Sequence, residues 1–205
     1  VLANSSLNDG IPVSFHDRRQ ESRPATGEAP FGLEEVFFSR TDDRGVISAF
    51  NDVFHRVANY STEELLGAPH KIIRHPDMPR GVFQLFWDTL KRGESIGAYV
   101  KNRAKDGLYY WVFAVVVPSE GGFLSARIKP SSTLFATIQT EYKALLDAEK
   151  ANGISPEKSA ELLLERLGEL GFKDYQSFAS FALAEELTAR DAGLGASVDP
   201  KITNC

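Results

Sequence analysis

The sequence predicts an α+β fold: a five-stranded antiparallel sheet with helices on one face, followed by a C-terminal helical segment. Three observations predict it. Two β-rich runs, V-F-F-S-R-T-D and G-V-I-S-A-F-N, flank the turn D-D-R-G. Three more, I-G-A-Y-V-K-N-R, L-Y-Y-W-V-F-A-V-V-V-P and F-L-S-A-R-I-K-P, are separated by Asp-Gly and Gly-Gly, the composition of hairpin turns. Between the two groups, and again after Pro130, the apolar residues recur at helical spacing. Strands and helices that are grouped in this way give an antiparallel sheet covered by helices.

Residues 1–30 are polar and rich in Ser, Pro and Gly, and read as a flexible leader. The domain then runs over residues 31–130. After its first hairpin, Val53, Phe54, Val57 and Ala58 mark a helix. Y-S-T-E-E-L-L-G supplies a complete second one: Ser61 as cap, Glu64 three residues on as in a capping box, and Gly67 as the stop. A third helix follows Pro79. Val82, Phe86 and Leu90 share one face, Lys91 and Arg92 complement the dipole at its end, and Gly93 stops it. Asp77, just ahead of Pro79, is the expected cap.

Residues 131–205 read as a C-terminal helical signalling or docking region. Ser132 is expected to cap the first of three helices. Phe135, Ile138, Tyr142 and Leu145 alternate at spacings of three and four, a short coiled-coil-like seam. Ser155 with Pro156 opens the second helix, and Asp174 the third, which is expected to reach about Arg190.

Composition narrows the function. The chain of 205 residues is 42% hydrophobic and 25% charged, enough apolar content for a core without staples. Residues 1–130 carry 16 cationic and 16 acidic residues, whereas residues 131–205 carry 7 against 12. This balance leaves no basic footprint for nucleic acid. No apolar run approaches a membrane span, and no secretory signal is expected, so a cytoplasmic location is. The lone Cys205 rules out a disulfide framework and a multi-cysteine zinc site. There is no Gly-x-Ser-x-Gly elbow, no Cys–His pair and no glycine-rich phosphate loop, so an enzyme is not expected.

The segment H-K-I-I-R-H-P-D-M-P, residues 70–79, concentrates polar chemistry around two isoleucines. A metal site is a poor reading: His70 and His75 are five apart, and Pro76 keeps His75 out of a helix. Helix capping alone accounts for Asp77, but not for Arg74 and His75. Nearby lie Lys71, Arg74, Arg80, Lys101, Arg103 and Lys105, together with Phe83, Phe86, Trp87, Tyr99, Tyr109, Tyr110 and Trp111. Cations suit a diphosphate and aromatics suit a planar ring. A solvated basic face over an aromatic core is the plainer alternative.

The wording carries a resemblance. N-D-V-F near Asn51, Y-S-T-E-E-L-L-G, P-H-K-I-I-R-H-P-D-M-P, W-D-T-L-K-R-G-E, V-K-N-R-A-K-D-G and Y-W-V together resemble the PAS sensor domain of the aerotaxis receptor and chemoreceptor family, over about residues 33–130. The resemblance implies non-covalently bound FAD, a report on redox state or oxygen supply, and an output into chemotaxis signalling. By the same resemblance, Arg74, His75, Asp77, Trp87 and Asn102 hold FAD, with Asn51 a further candidate. Two departures, S-I-G-A-Y before V-K-N and Tyr109 where the family often has histidine, fall where a pocket would be reshaped. PAS domains also bind haem b, for which His70 or His75 would be the axial ligand, and some bind no cofactor and serve as protein-interaction modules. A cysteine-adduct flavin is excluded, since R-H-P-D-M-P contains no cysteine. The expected partners are a second copy of the chain and a downstream chemoreceptor domain, reached through the seam on the first C-terminal helix.

Overall fold

The computed structural model describes residues 23–196. The elements run β1 (Val36–Thr41), β2 (Ile47–Phe50), α1 (Asp52–Ala58), α2 (Thr62–Leu65), a 3₁₀ turn at His70–Ile73, α3 (Arg80–Lys91), β3 (Ile96–Arg103), β4 (Tyr109–Ser119), β5 (Gly122–Ile128), α4 (Thr133–Asn152), α5 (Pro156–Glu169) and α6 (Tyr175–Ala196). The five strands form one antiparallel sheet in the order β2-β1-β5-β4-β3.

Local chemistry explains most boundaries. Ser61 and Glu64 make the reciprocal capping box of α2. Asn51 caps α1 by accepting from the Phe54 amide, and Ser155 caps α5 with Pro156 in its first turn. Asp174 accepts from the Ser177 amide at 2.7 Å at the start of α6, which runs past Arg190 to Ala196.

Two expected caps do not form. Neither Asp77 nor Pro79 caps α3, and the Ser132 side chain does not cap α4. Remote carboxylates do both jobs. Glu149, from the end of α4, accepts from the Arg80 and Gly81 amides of α3 at 2.7 and 3.2 Å. Glu186, from α6, accepts from the Ser131 and Ser132 amides at 2.6 and 3.1 Å and from the Tyr99 hydroxyl at 2.7 Å. Both carboxylates are buried, so tertiary packing brings the acceptor that local sequence does not supply.

The sheet is covered unevenly. α1, α2, the 3₁₀ turn and α3 lie on one face. Among the described residues the opposite face is covered over β3 and β4, and Phe38 and Leu124 on β1 and β5 stay exposed. Over β3, Phe135 of α4 stacks on Tyr99 with ring centroids 5.5 Å apart, and the Tyr175 hydroxyl of α6 donates to the Gly97 carbonyl. Hence residues 96–100 are all buried, whereas β1 alternates and leaves Phe38 46% exposed. Gly97 makes the close contact possible: a Cβ there would stand 3.0 Å from Phe113 and 3.4 Å from the Ala179 methyl. The S-I-G-A-Y departure thus seats α6 on the outer face rather than reshaping the inner one.

The leader expected over residues 1–30 falls partly outside the described residues. Its last stretch is packed rather than loose. Arg23 pairs with Asp106, the Ala29 amide donates to the Tyr109 carbonyl at 2.7 Å, and Ala29 is buried. The α4 seam also differs from expectation. Ile138, Tyr142 and Leu145 are buried within this chain, and Phe135 and Tyr142 pack on Trp111. An apolar stripe this short is satisfied by the nearest apolar surface, here the sheet and α5, and is not free for a partner helix.

Ile138→Glu would bury an unpaired charge at a site with no exposure. It is expected to lower the unfolding free energy by about 3–5 kcal/mol in urea titrations at any protein concentration. A change in oligomer size with unchanged stability would return the seam to an intermolecular role.

Candidate functional site

A cavity of about 210 Å³ lies between the covered inner face of the sheet and α3. α3 supplies Phe83, Phe86, Trp87 and Leu90; the strands supply Ser39, Thr41, Val100, Asn102, Ala114, Val116, Ser125 and Arg127. Strand alternation explains the second set. Residues two apart share a face, so Asn102 follows Val100 and Arg127 follows Ser125 into the cavity. The mouth is bordered by Arg44, Gly45, Pro69 and Lys71.

The polar lining is made of cations and neutral groups. Arg44, Lys71, Arg74 and Arg127 line the cavity, and among the described residues no aspartate or glutamate does. Arg127 is 5% exposed. Its Nη2 donates to Ser39 Oγ at 3.0 Å and lies 2.7 Å from His70 Nε2, while Nη1 is buried with no partner. Burial without a carboxylate lowers its pKa to about 10, so the group still carries its charge at neutral pH. Asn102 Nδ2 and Ser125 Oγ, on the same lining, are also buried and unpartnered, as is the nearby Tyr110 hydroxyl. Unsatisfied buried donors are rare, and Arg127, Asn102 and Ser125 place them together on one lining.

Burial, then the charges of Arg127 and Arg74, hold the His70 pKa well below its ordinary value. His70 is therefore neutral, and its Nε2 accepts from the guanidinium. Arg74 sits at the rim with its guanidinium carbon 3.7 Å from the Phe83 ring centroid. Trp87 closes the outer end, edge-on to Phe123 at 5.8 Å.

Of the residues expected to hold a cofactor, Arg74, Trp87 and Asn102 line this cavity, and His75, Asp77 and Asn51 do not. The R-H-P-D-M-P segment covers the free edge of β3 instead. Arg74 forms a bridge with Asn102, and Met78 Sδ accepts from the Lys101 amide. His75 Nδ1 accepts from the Asp77 amide at 3.1 Å, and Asp77 faces Lys101 and Lys150 at 3.4 and 3.9 Å. Asn51 holds the first hairpin to α1 by bonding Val36, Phe38 and Phe54. As for an axial haem ligand, His70 Nε2 is engaged by Arg127, and His75 lies outside the cavity lining. Among the described residues no group of three or more His, Cys, Asp or Glu is placed to hold a metal.

Arg127, Ser125 and His70 complete the polar lining. A signal for the first two existed: in F-L-S-A-R-I, Ser125 and Arg127 share one strand face, and an inward-facing arginine needs a reason.

His70 predicts a pH dependence. A histidine whose folded pKa is depressed contributes stability that is complete above its unfolded value of about 6.5 and is lost as pH falls through that value. The loss has a slope of up to about 1.4 kcal/mol per pH unit per proton. His75, lowered chiefly by burial, acts in the same direction. His70→Gln keeps an acceptor for Arg127 and does not titrate. In urea titrations from pH 6.5 to 5, the variant is expected to lose stability less steeply by about that slope. Equal slopes would mean that His70 takes its proton without penalty.

Residues 47–122 match the family model described as PAS fold. The chain is 41% identical over 121 residues to the aerotaxis receptor of Escherichia coli K12, covering 57% of this chain and 24% of that protein. It is 26% identical over 118 residues to the nitrogen fixation regulatory protein of Klebsiella pneumoniae, covering 58% of this chain and 24% of that protein. It thus spans about a quarter of the length of these relatives. A solved light-state structure of the blue-light photoreceptor Aureochrome1 LOV aligns with TM-score 0.43 and 20% identity, over 52% of this chain and 90% of that one. Residues 47–122 are thus similar to the PAS fold, and the chain is similar to part of the aerotaxis receptor.

Proposed function

We propose that the domain is a redox or oxygen sensor that binds FAD non-covalently and feeds chemotaxis signalling. One observation carries the reading: a buried, charged Arg127 with unpartnered donors around it, in an aromatic cavity that no carboxylate among the described residues lines. A planar ring rich in carbonyl and imine acceptors fits that lining. Phe83, Phe86 and Trp87 supply the stacking wall, and Arg127, Asn102 and Ser125 supply donors. At about 210 Å³ the cavity is smaller than the roughly 300–1,000 Å³ of sites that enclose a drug-sized ligand. It therefore suits the ring alone, with the diphosphate leaving through the mouth past Arg44 and Lys71.

Bound flavin would supply reversible electron uptake; the chain supplies position and charge. Arg127 and Asn102 stand on β5 and β3, where a change in ring charge acts first. β5 runs directly into the Ser131–Ser132 segment gripped by Glu186. Signal output thus falls to the packed C-terminal helices, and no catalytic step is assigned to the chain. The relative's printed name, aerotaxis receptor, supports taxis as the output. A second copy of the chain and a downstream chemoreceptor domain are the partners this reading expects, in the cytoplasm. No helix among the described residues is long and apolar enough to cross a membrane.

The test is a visible spectrum of the purified chain after incubation with FAD. Bands near about 370 and 450 nm, with FAD released on heating, are expected, since cofactor chemistry is carried by the ring. Asn102→Ala and Trp87→Ala are each expected to weaken FAD binding by about tenfold or more, as loss of a buried partner does. A colourless protein with FAD, or a single sharp band near about 400–420 nm as haem gives, would overturn the reading.

A further inference from the structure

The same helix that walls the cavity is held by a residue far from it in sequence. Glu149 is 6% exposed, in the last turn of α4. Its Oε1 accepts from the Arg80 and Gly81 amides, which no acceptor within α3 satisfies, and from the Ser159 hydroxyl of α5. Its Oε2 lies 3.6 Å from Arg80 Nε. One carboxylate therefore ties together the start of α3, the end of α4 and the start of α5. The contact is close. A Cβ on Gly81 would stand 2.5 Å from the Ser159 carbonyl carbon and 2.6 Å from the Ala160 nitrogen, both backbone atoms that cannot move aside alone. α3 has little freedom to slide or rotate against α5 while this junction holds. One to three turns further along the same helix stand Phe83, Phe86, Trp87 and Leu90, the aromatic and apolar wall of the cavity.

We propose that Glu149 is the positioning residue through which the C-terminal helices hold the aromatic wall of the cavity and set how tightly a ring ligand is gripped. The ligand half of this statement rests on the flavin reading above; the mechanical half does not. Coupling of this kind is reciprocal, so a ligand pressed against Phe83 and Trp87 also steadies the α4–α5 junction. The C-terminal helices then belong to the sensor itself.

The experiment uses the full chain, with Glu149→Ala, Glu149→Gln and, as a control at the other buried carboxylate, Glu186→Ala, which acts at the start of α4 and not on α3. Two quantities are read: amide hydrogen exchange along α3, and the dissociation constant for FAD by fluorescence. Glu149→Ala is expected to speed exchange through Trp87 and weaken FAD binding, each by about tenfold, while Glu149→Gln, which keeps an acceptor for both amides, stays within about threefold of the parent. Glu186→Ala should leave exchange along α3 near the parent value. Equal effects of the two alanine variants on α3 exchange, or an α3 unaffected by Glu149→Ala, would overturn the proposal. If the parent chain binds no FAD, the flavin reading fails separately and the exchange along α3 alone decides. Should Glu149→Ala not fold, Ser159→Ala removes one donor of the junction, and faster exchange confined to α3 and α5 is expected; unchanged exchange there overturns the proposal.

Discussion

A buried arginine without a carboxylate is the constraint around which this domain is arranged. Removing a guanidinium from water is expensive, and proteins ordinarily offset it with an acidic partner. Here Arg127 has a serine hydroxyl, a neutral histidine and an open nitrogen. Replacing it with an apolar residue of similar volume is expected to cost the fold little, which supports the proposed role of Arg127 as a ligand donor. The histidine must stay neutral to accept from it, which ties His70 and the 3₁₀ turn to the same requirement. The aromatic wall of α3 then excludes water and strengthens every electrostatic interaction inside.

The second organising feature is that the sheet is an intermediate layer. Cavity residues and outer-face residues alternate along the same strands. Asn102 faces in, while Tyr99, three residues before it, faces α6 and bonds Glu186. Arg127 faces in, and β5 ends at the segment capped by that same carboxylate. The inner helix α3 is held in turn by Glu149. Two buried carboxylates on the C-terminal helices thus grip the two elements that leave the cavity, the strand and the helix. The 131–196 region is therefore integral to the fold.

Much of this was legible in the sequence because it is local. Turn chemistry at Gly45, Asp106–Gly107 and Gly121–Gly122, period-two strands and the Ser61–Glu64 box each decide their own structure. The cavity helix was legible from its apolar face, and Arg74, Trp87 and Asn102 line the cavity as motif positions. His75, Asp77 and Asn51 are different. They lie in the same memorable motifs but serve an edge strand and a helix cap, because a motif fixes a backbone path as well as a site. What the sequence could not disclose is long-range. Glu149 and Glu186 read as ordinary helix-surface glutamates until packing places them against amides some 55–70 residues away. The seam at Ile138 has the spacing of a coiled coil, yet apolar periodicity does not say which surface it covers.

The central claim is that Arg127 is held in an unsatisfied state that a flavin-type ligand relieves. The most direct measurement is thermal unfolding of the full chain against added FAD, for the parent and Arg127→Met. In the parent, FAD at a hundredfold excess over its dissociation constant should add about 2.7 kcal/mol of stability. Without ligand, Arg127→Met should melt no lower than the parent, and FAD should leave its midpoint unmoved. An Arg127→Met protein that melts lower without ligand yet gains as much from FAD as the parent would contradict the account.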